Sequence, residues 1–73
     1  MAQIKTWTNY ENEDHPIRWR EVGGPEVRYC TMDEAVRRLA GYGHDPELVK
    51  SNLLEGHTVR TPFAYYDMPA MAR

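Results

Sequence analysis

The sequence predicts an α+β fold, a small antiparallel sheet of three to four strands packed on two short helices in the order β-β-β-α-α-β. Three observations carry this expectation. Two runs of alternating apolar and polar residues flank Gly23-Gly24-Pro25, the pattern of a β-hairpin. Thr31-Met32-Asp33-Glu34 opens an amphipathic stretch that Gly41 and Gly43 close. Asp45-Pro46-Glu47 opens a second helix, and an aromatic-rich strand follows Gly56.

Taken in order, Gln3 to Thr8 mixes Ile4 and Trp7 with threonines, a composition that favours strand. Glu11-Asn12-Glu13-Asp14-His15-Pro16 is an acidic loop, because residues before proline avoid the helix. In Ile17 to Val22, Ile17 and Trp19 point one way and Arg18 and Arg20 the other. In Glu26 to Cys30, Val27 and Tyr29 share one face. Thr31 then caps a helix, and Glu34 is spaced to reach back to a free amide. Met32, Ala35, Val36, Leu39 and Ala40 form its apolar stripe, with Arg37 and Arg38 off it. In the second helix the stripe is Leu48, Val49 and Leu53, and Gly56 terminates it.

His57 to Tyr66 reads as one strand with Val59, Thr61, Phe63 and Tyr65 on one face; Pro62 marks it as an edge strand or a bulge. The expected core is Ile17, Trp19, Val27, Tyr29, Met32, Val36, Leu39, Leu48, Val49, Leu53, Val59, Phe63 and Tyr65. Residues 67–73 read as a loose tail onto which Met68 and Met71 can dock.

The 73 residues suffice for one domain. A single cysteine, Cys30, allows no intramolecular disulfide and suits a reducing compartment, so a cytoplasmic location is expected. No apolar signal core or membrane-length run is present. Net charge is −2, so any affinity for nucleic acid must come from a local patch. Cys30, His15, His44 and His57 lack the paired spacing of a zinc site, and no phosphate loop or dinucleotide fingerprint occurs. We therefore expect no catalytic residues, no metal and no cofactor.

Two charged surfaces follow from the alternation. Arg18, Arg20, Arg28 and Arg60, with Tyr66 beside them, fall on the sheet face opposite the core. Arginine's rigid fork of donors suits carboxylates and phosphates. The same face also reads as a solvated one balanced by Glu21 and Glu26. Glu11, Glu13 and Asp14 form the second surface. Their loop is either solvated or in contact with a basic partner, whereas the acids at helix starts have a local role with the helix dipole.

The stretch from Glu26 to Tyr66 resembles the nuclease-associated modular helix-turn-helix domains of homing endonucleases. The likeness runs from Val27-Arg28-Tyr29 through Thr31-Met32-Asp33-Glu34-Ala35, Leu39 and Gly41, then from Leu48 to Gly56, and ends at Phe63-Ala64-Tyr65-Tyr66. It implies a second helix against DNA, presenting Lys50, Ser51 and Asn52, with Arg37 and Arg38 nearby. The chain departs from that pattern at the two-glycine linker Gly41-Tyr42-Gly43-His44 and at Glu47 and Glu55. In type, a tiny acidic α/β chain without a catalytic set resembles phage-encoded inhibitors, including anti-CRISPR proteins. The expected function is accordingly a non-enzymatic protein–protein interaction domain, an inhibitor that occupies a partner's surface, with a nucleic-acid-handling complex as one kind of partner. The alternative is a small DNA-binding module. Monomer and homodimer both remain open, and no membrane association is expected.

Overall fold

A computed structural model describes residues 7–71. Its elements are β1 (Trp7–Thr8), β2 (Ile17–Glu21), β3 (Arg28–Cys30), α1 (Met32–Gly41), α2 (Pro46–Leu54), β4 (Val59–Arg60) and β5 (Ala64–Asp67). The strands form one sheet in the order β1-β3-β2-β5-β4, with every pair antiparallel. The α+β class and the helix positions agree with expectation. The expected first strand is described only at its end, because Gln3 to Thr6 lie outside the described residues.

Both helices start and stop on the residues that local chemistry favours. The Thr31 hydroxyl accepts the Glu34 amide at 3.1 Å. The capping-box spacing predicts a return bond from Glu34, but its carboxylate runs along the helix to Arg37 and Arg38, at 3.3 and 3.1 Å. The Asp45 carboxylate caps α2 by accepting the Glu47 and Leu48 amides. Each helix ends in a Schellman motif, which satisfies otherwise orphaned carbonyls. His44 donates to Leu39 and Gly43 to Ala40 in the first; His57 donates to Asn52 and Gly56 to Leu53 in the second. Gly43 and Gly56 carry the positive φ angles, 93° and 85°, that this turn requires.

The sheet differs from expectation in strand count and in phase. The stretch His57 to Tyr66 is a hairpin, not one strand, so the described sheet has five strands rather than three to four. The turn is built on Thr61, whose buried hydroxyl accepts the Phe63 and Ala64 amides at 3.0 and 2.9 Å. Turning at Thr61-Pro62-Phe63 resets the alternation. Ala64 and Tyr66 face inward, and Tyr65 faces out. Tyr66 is thus a core residue, 4% exposed, while Phe63 is 64% exposed.

Strand β3 is inverted as well. Ile17 lies opposite Cys30 and Trp19 opposite Arg28, so Cys30 and Arg28 share the inner face and Tyr29 is outside. Val27 and Leu48, expected in the core, are exposed. Leu48 sits in the first turn of α2 and is exposed, whereas Val49 and Leu53 are the buried residues of that helix. The core comprises Ile17, Trp19, Cys30, Ala35, Leu39, Val49, Leu53, Val59, Ala64 and Tyr66, flanked by Trp7, Met32, Val36 and Met68. The expected loose tail begins later than 67, since Asp67 belongs to β5 and Met68 packs on the core.

Because two amides depend on one buried hydroxyl, Thr61→Val is expected to lower stability by about 1–3 kcal/mol despite its similar shape. Urea denaturation measures this. A change within error would mean that water replaces the hydroxyl at this turn.

Candidate functional site

The outer sheet face has two cross-strand rows. In the first, Arg18 on β2 lies opposite Asp67 on β5 and opposite Tyr29 on β3. The Arg18 Nε donates to Asp67 Oδ1 at 2.9 Å and Nη2 to Oδ2 at 2.5 Å, a two-pronged pair. This hydrogen bonding to Asp67 raises the Arg18 pKa, against a smaller opposing effect of burial. Arg18 therefore stays charged, and Asp67 offsets that charge within the fold.

In the second row, Arg20 on β2 and Arg60 on β4 both lie opposite Tyr65 on β5. Their guanidinium carbons stand 5.8 and 5.2 Å from the centre of the Tyr65 ring. One aromatic ring thus sits between two cations whose backbones are two strand spacings apart, about 10 Å. Among the described residues, neither Arg20 nor Arg60 has a carboxylate within ion-pair distance. Together with Arg18, Thr58 and Asp67 the row lines an open depression of about 450 Å³. The ring pre-orients the two cations, which lowers the entropy lost when they engage an anion.

Of the expected face, Arg18, Arg20 and Arg60 are brought together, whereas Arg28 and Tyr66 are not. Arg28 lies over the Trp7 and Trp19 rings, at 4.6 and 5.5 Å, on the opposite side of the sheet. It also pairs with Glu26 at 2.7 Å. Arg38 covers Trp19 from α1, at 4.8 Å, and Trp19 stacks on Tyr66 at 6.1 Å. Two guanidiniums, one from β3 and one from α1, thus cover the Trp19 ring. Burial raises the Tyr66 pKa, opposed by a hydrogen bond from Arg38.

Tyr65, Thr58 and Asp67 are site residues that sequence reasoning missed. Pro62 was the available signal: a turn there, rather than a bulge, reverses the chain and puts Tyr65 on the Arg60 face.

The acidic loop is organised by Asn12, whose Oδ1 accepts the Asp14 and His15 amides at 2.9 and 2.8 Å. Glu11, Glu13 and Asp14 are exposed. Glu11 is the weakest contributor to the raised Arg18 pKa, so the loop borders the arginine face. The residues of the DNA-binding alternative do not make one basic patch. Lys50 and Ser51 share their surface with Glu47 and Glu55, Asn52 is exposed beside them, and Arg37 and Arg38 share Glu34.

Cys30 is fully buried, and burial pushes its thiol up to about 11 from an ordinary 9.0. Native Cys30 should thus react with iodoacetamide at pH 8 at least ~100-fold more slowly than in urea, read by mass spectrometry. Stability should follow the same group. The raised folded-state pKa favours the neutral thiol, so its contribution is complete below pH 9 and is lost as pH rises towards 11. Cys30→Ala should flatten that alkaline loss; an unchanged profile would move the cause to Tyr66.

The three histidines are apart: His15 is held by Asn12, His44 donates from Nε2 to the Arg60 carbonyl at 3.0 Å, and His57 neighbours Glu55. The His44 bond occupies a carbonyl of β4, a strand at the edge of the sheet. Among the described residues no three His, Cys, Asp or Glu side chains gather as a metal site, and no helix is long and apolar enough to cross a membrane. Comparison with known proteins finds no matching family model, no matching curated protein and no matching solved structure.

Proposed function

We propose that this chain is a non-enzymatic interaction domain that docks its outer sheet face on an acidic protein surface. The observation that carries the reading is the Arg20–Tyr65–Arg60 row, two exposed cations held on one ring with no carboxylate within ion-pair distance among the described residues. Interface centres are rich in Tyr and Arg. Arg18 is already matched by Asp67, so the face presents about two positive charges to be matched by a partner. Inhibition by covering such a surface is the form of this function that the sequence resemblance suggests, with a nucleic-acid-handling complex as the partner type.

A protein partner is favoured over nucleic acid by charge. The chain as a whole is at −2, and phosphate binding draws on many cations at once. On α2 a single lysine stands between Glu47 and Glu55. The test is capture of binding proteins on the immobilised chain, with and without nuclease, using wild type and Arg20→Ser/Arg60→Ser. The expected result is a protein retained after nuclease and absent from the variant. A bound set that vanishes with nuclease, or that ignores both substitutions, overturns the proposal.

A further inference from the structure

We infer that, while no other partner is bound, the arginine row is covered by the acidic loop of a second copy of this chain, in a two-fold dimer that closes the docking face. The inference rests on the reading of that face as a protein-docking surface and names its occupant in the free protein.

The loop is an acidic knob that the fold holds in shape. His15 donates its amide to the Asn12 carbonyl at 3.2 Å, and Asn12 returns a bond to the His15 carbonyl at 3.5 Å. The Asn12 side chain closes the same turn by accepting the Asp14 and His15 amides. Glu13 and Asp14 sit within this turn and Glu11 just before it, all three exposed. None of them has a cation within ion-pair distance among the described residues. Acids often answer a helix dipole, but the element after this loop is strand β2.

The arginine row is the counterpart of the loop in charge and in shape. Arg20 and Arg60 line an open depression of about 450 Å³, and a tight turn is a shape that enters an open depression. Both sides are organised beforehand, the cations by Tyr65 and the acids by Asn12, so little freedom is lost on contact. Tyr10, next to the loop, is 65% exposed and adds an aromatic surface on which a guanidinium can lie.

Placement lets both contacts form at once. Along β2 the order is loop, Arg18, Arg20, so the internally matched Arg18–Asp67 pair separates the acids from the free cations. Within one chain no ion pair joins loop and row. Two outer faces can be apposed about a two-fold axis that runs between them, midway between loop and row. Each loop then meets the other copy's row, and the dimer is closed and isologous.

Sedimentation velocity of the whole chain, over a concentration series at low and high salt, reads the dimer. Wild type should dimerise at low salt and dissociate at high salt, because exposed charges are screened. Arg20→Glu/Arg60→Glu and Glu11→Lys/Glu13→Lys should each lower dimer affinity about tenfold or more. Mixed in equal amounts, the two variants should form a heterodimer of wild-type affinity: the row glutamates of one meet the loop lysines of the other, and the second contact is native. All four changed side chains are exposed, and melting temperatures check each fold. Wild type that stays monomeric at every concentration, a dimer insensitive to both reversals, or no recovery on mixing overturns the inference. The proposed function is read separately, by the nuclease-treated capture with Arg20→Ser/Arg60→Ser. A monomeric wild type beside a captured protein that needs the arginines removes the dimer and keeps the function. Recovery on mixing beside capture that ignores the arginines keeps the dimer and removes the function.

Discussion

Trp19→Ala is expected to cost about 3–5 kcal/mol of unfolding free energy, the usual range for emptying a large aromatic site. A chain of 73 residues has a total stability of only about 4–11 kcal/mol, so the variant should forfeit at least about a quarter of it, and all of it towards the lower end of that range. Trp19 joins the two halves of the sheet to the helices. It stacks on Tyr66 across β2 and β5, lies under Arg28 from β3, and lies under Arg38 from α1. Truncation leaves a void and takes the aromatic partner from two guanidiniums at once. Trp19→Phe separates the causes. Its Nε1 is buried with no hydrogen-bond partner among the described residues, so phenylalanine forfeits ring area and no bond. That variant should lose only about 1–2 kcal/mol. Urea denaturation followed by circular dichroism measures both. If Trp19→Ala lost less than about 1 kcal/mol, the roofed Trp19 would not be the centre of this core.

Charge reversal of the open row, Arg20→Glu with Arg60→Glu, is expected to weaken the captured complex about 1,000-fold, two strong contacts of about 2 kcal/mol each. Most of the loss should appear in dissociation. The association rate should also lose its dependence on salt, since rim cations steer encounter. Stability of the fold should barely change, because both side chains are exposed and lose only their contact with Tyr65. Lys50→Glu on α2 is the control and should leave binding unchanged. Surface plasmon resonance at two salt concentrations provides the rates. Equal affinity of the double variant and wild type would dismiss the arginine row; sensitivity to Lys50→Glu alone would move the contact to α2. Arg18 is unsuited to this test, because a glutamate there would face Asp67 and destabilise the sheet.

Sequence alone determined the elements whose causes are local. The caps at Thr31 and Asp45, the glycine stops at Gly43 and Gly56, the β2 alternation and the outward direction of Arg18, Arg20 and Arg60 depend on residues a few positions apart. Tertiary structure decided the sign of the alternation elsewhere. A two-residue period says which side chains share a face but not which face is buried, and one residue's shift in register exchanges the two. In β3 the choice lay between Val27 with Tyr29 and Arg28 with Cys30. Pairing Ile17 with Cys30 settled it, burying a small thiol and spreading Arg28 over two indoles. In β5 the Thr61 turn reset the phase, sending Tyr66 inward beneath Arg38 and bringing Tyr65 out between Arg20 and Arg60. The candidate site therefore joins arginines that local pattern could place to a tyrosine that only strand pairing could, because the pairing partner lies some 45 residues away along the chain.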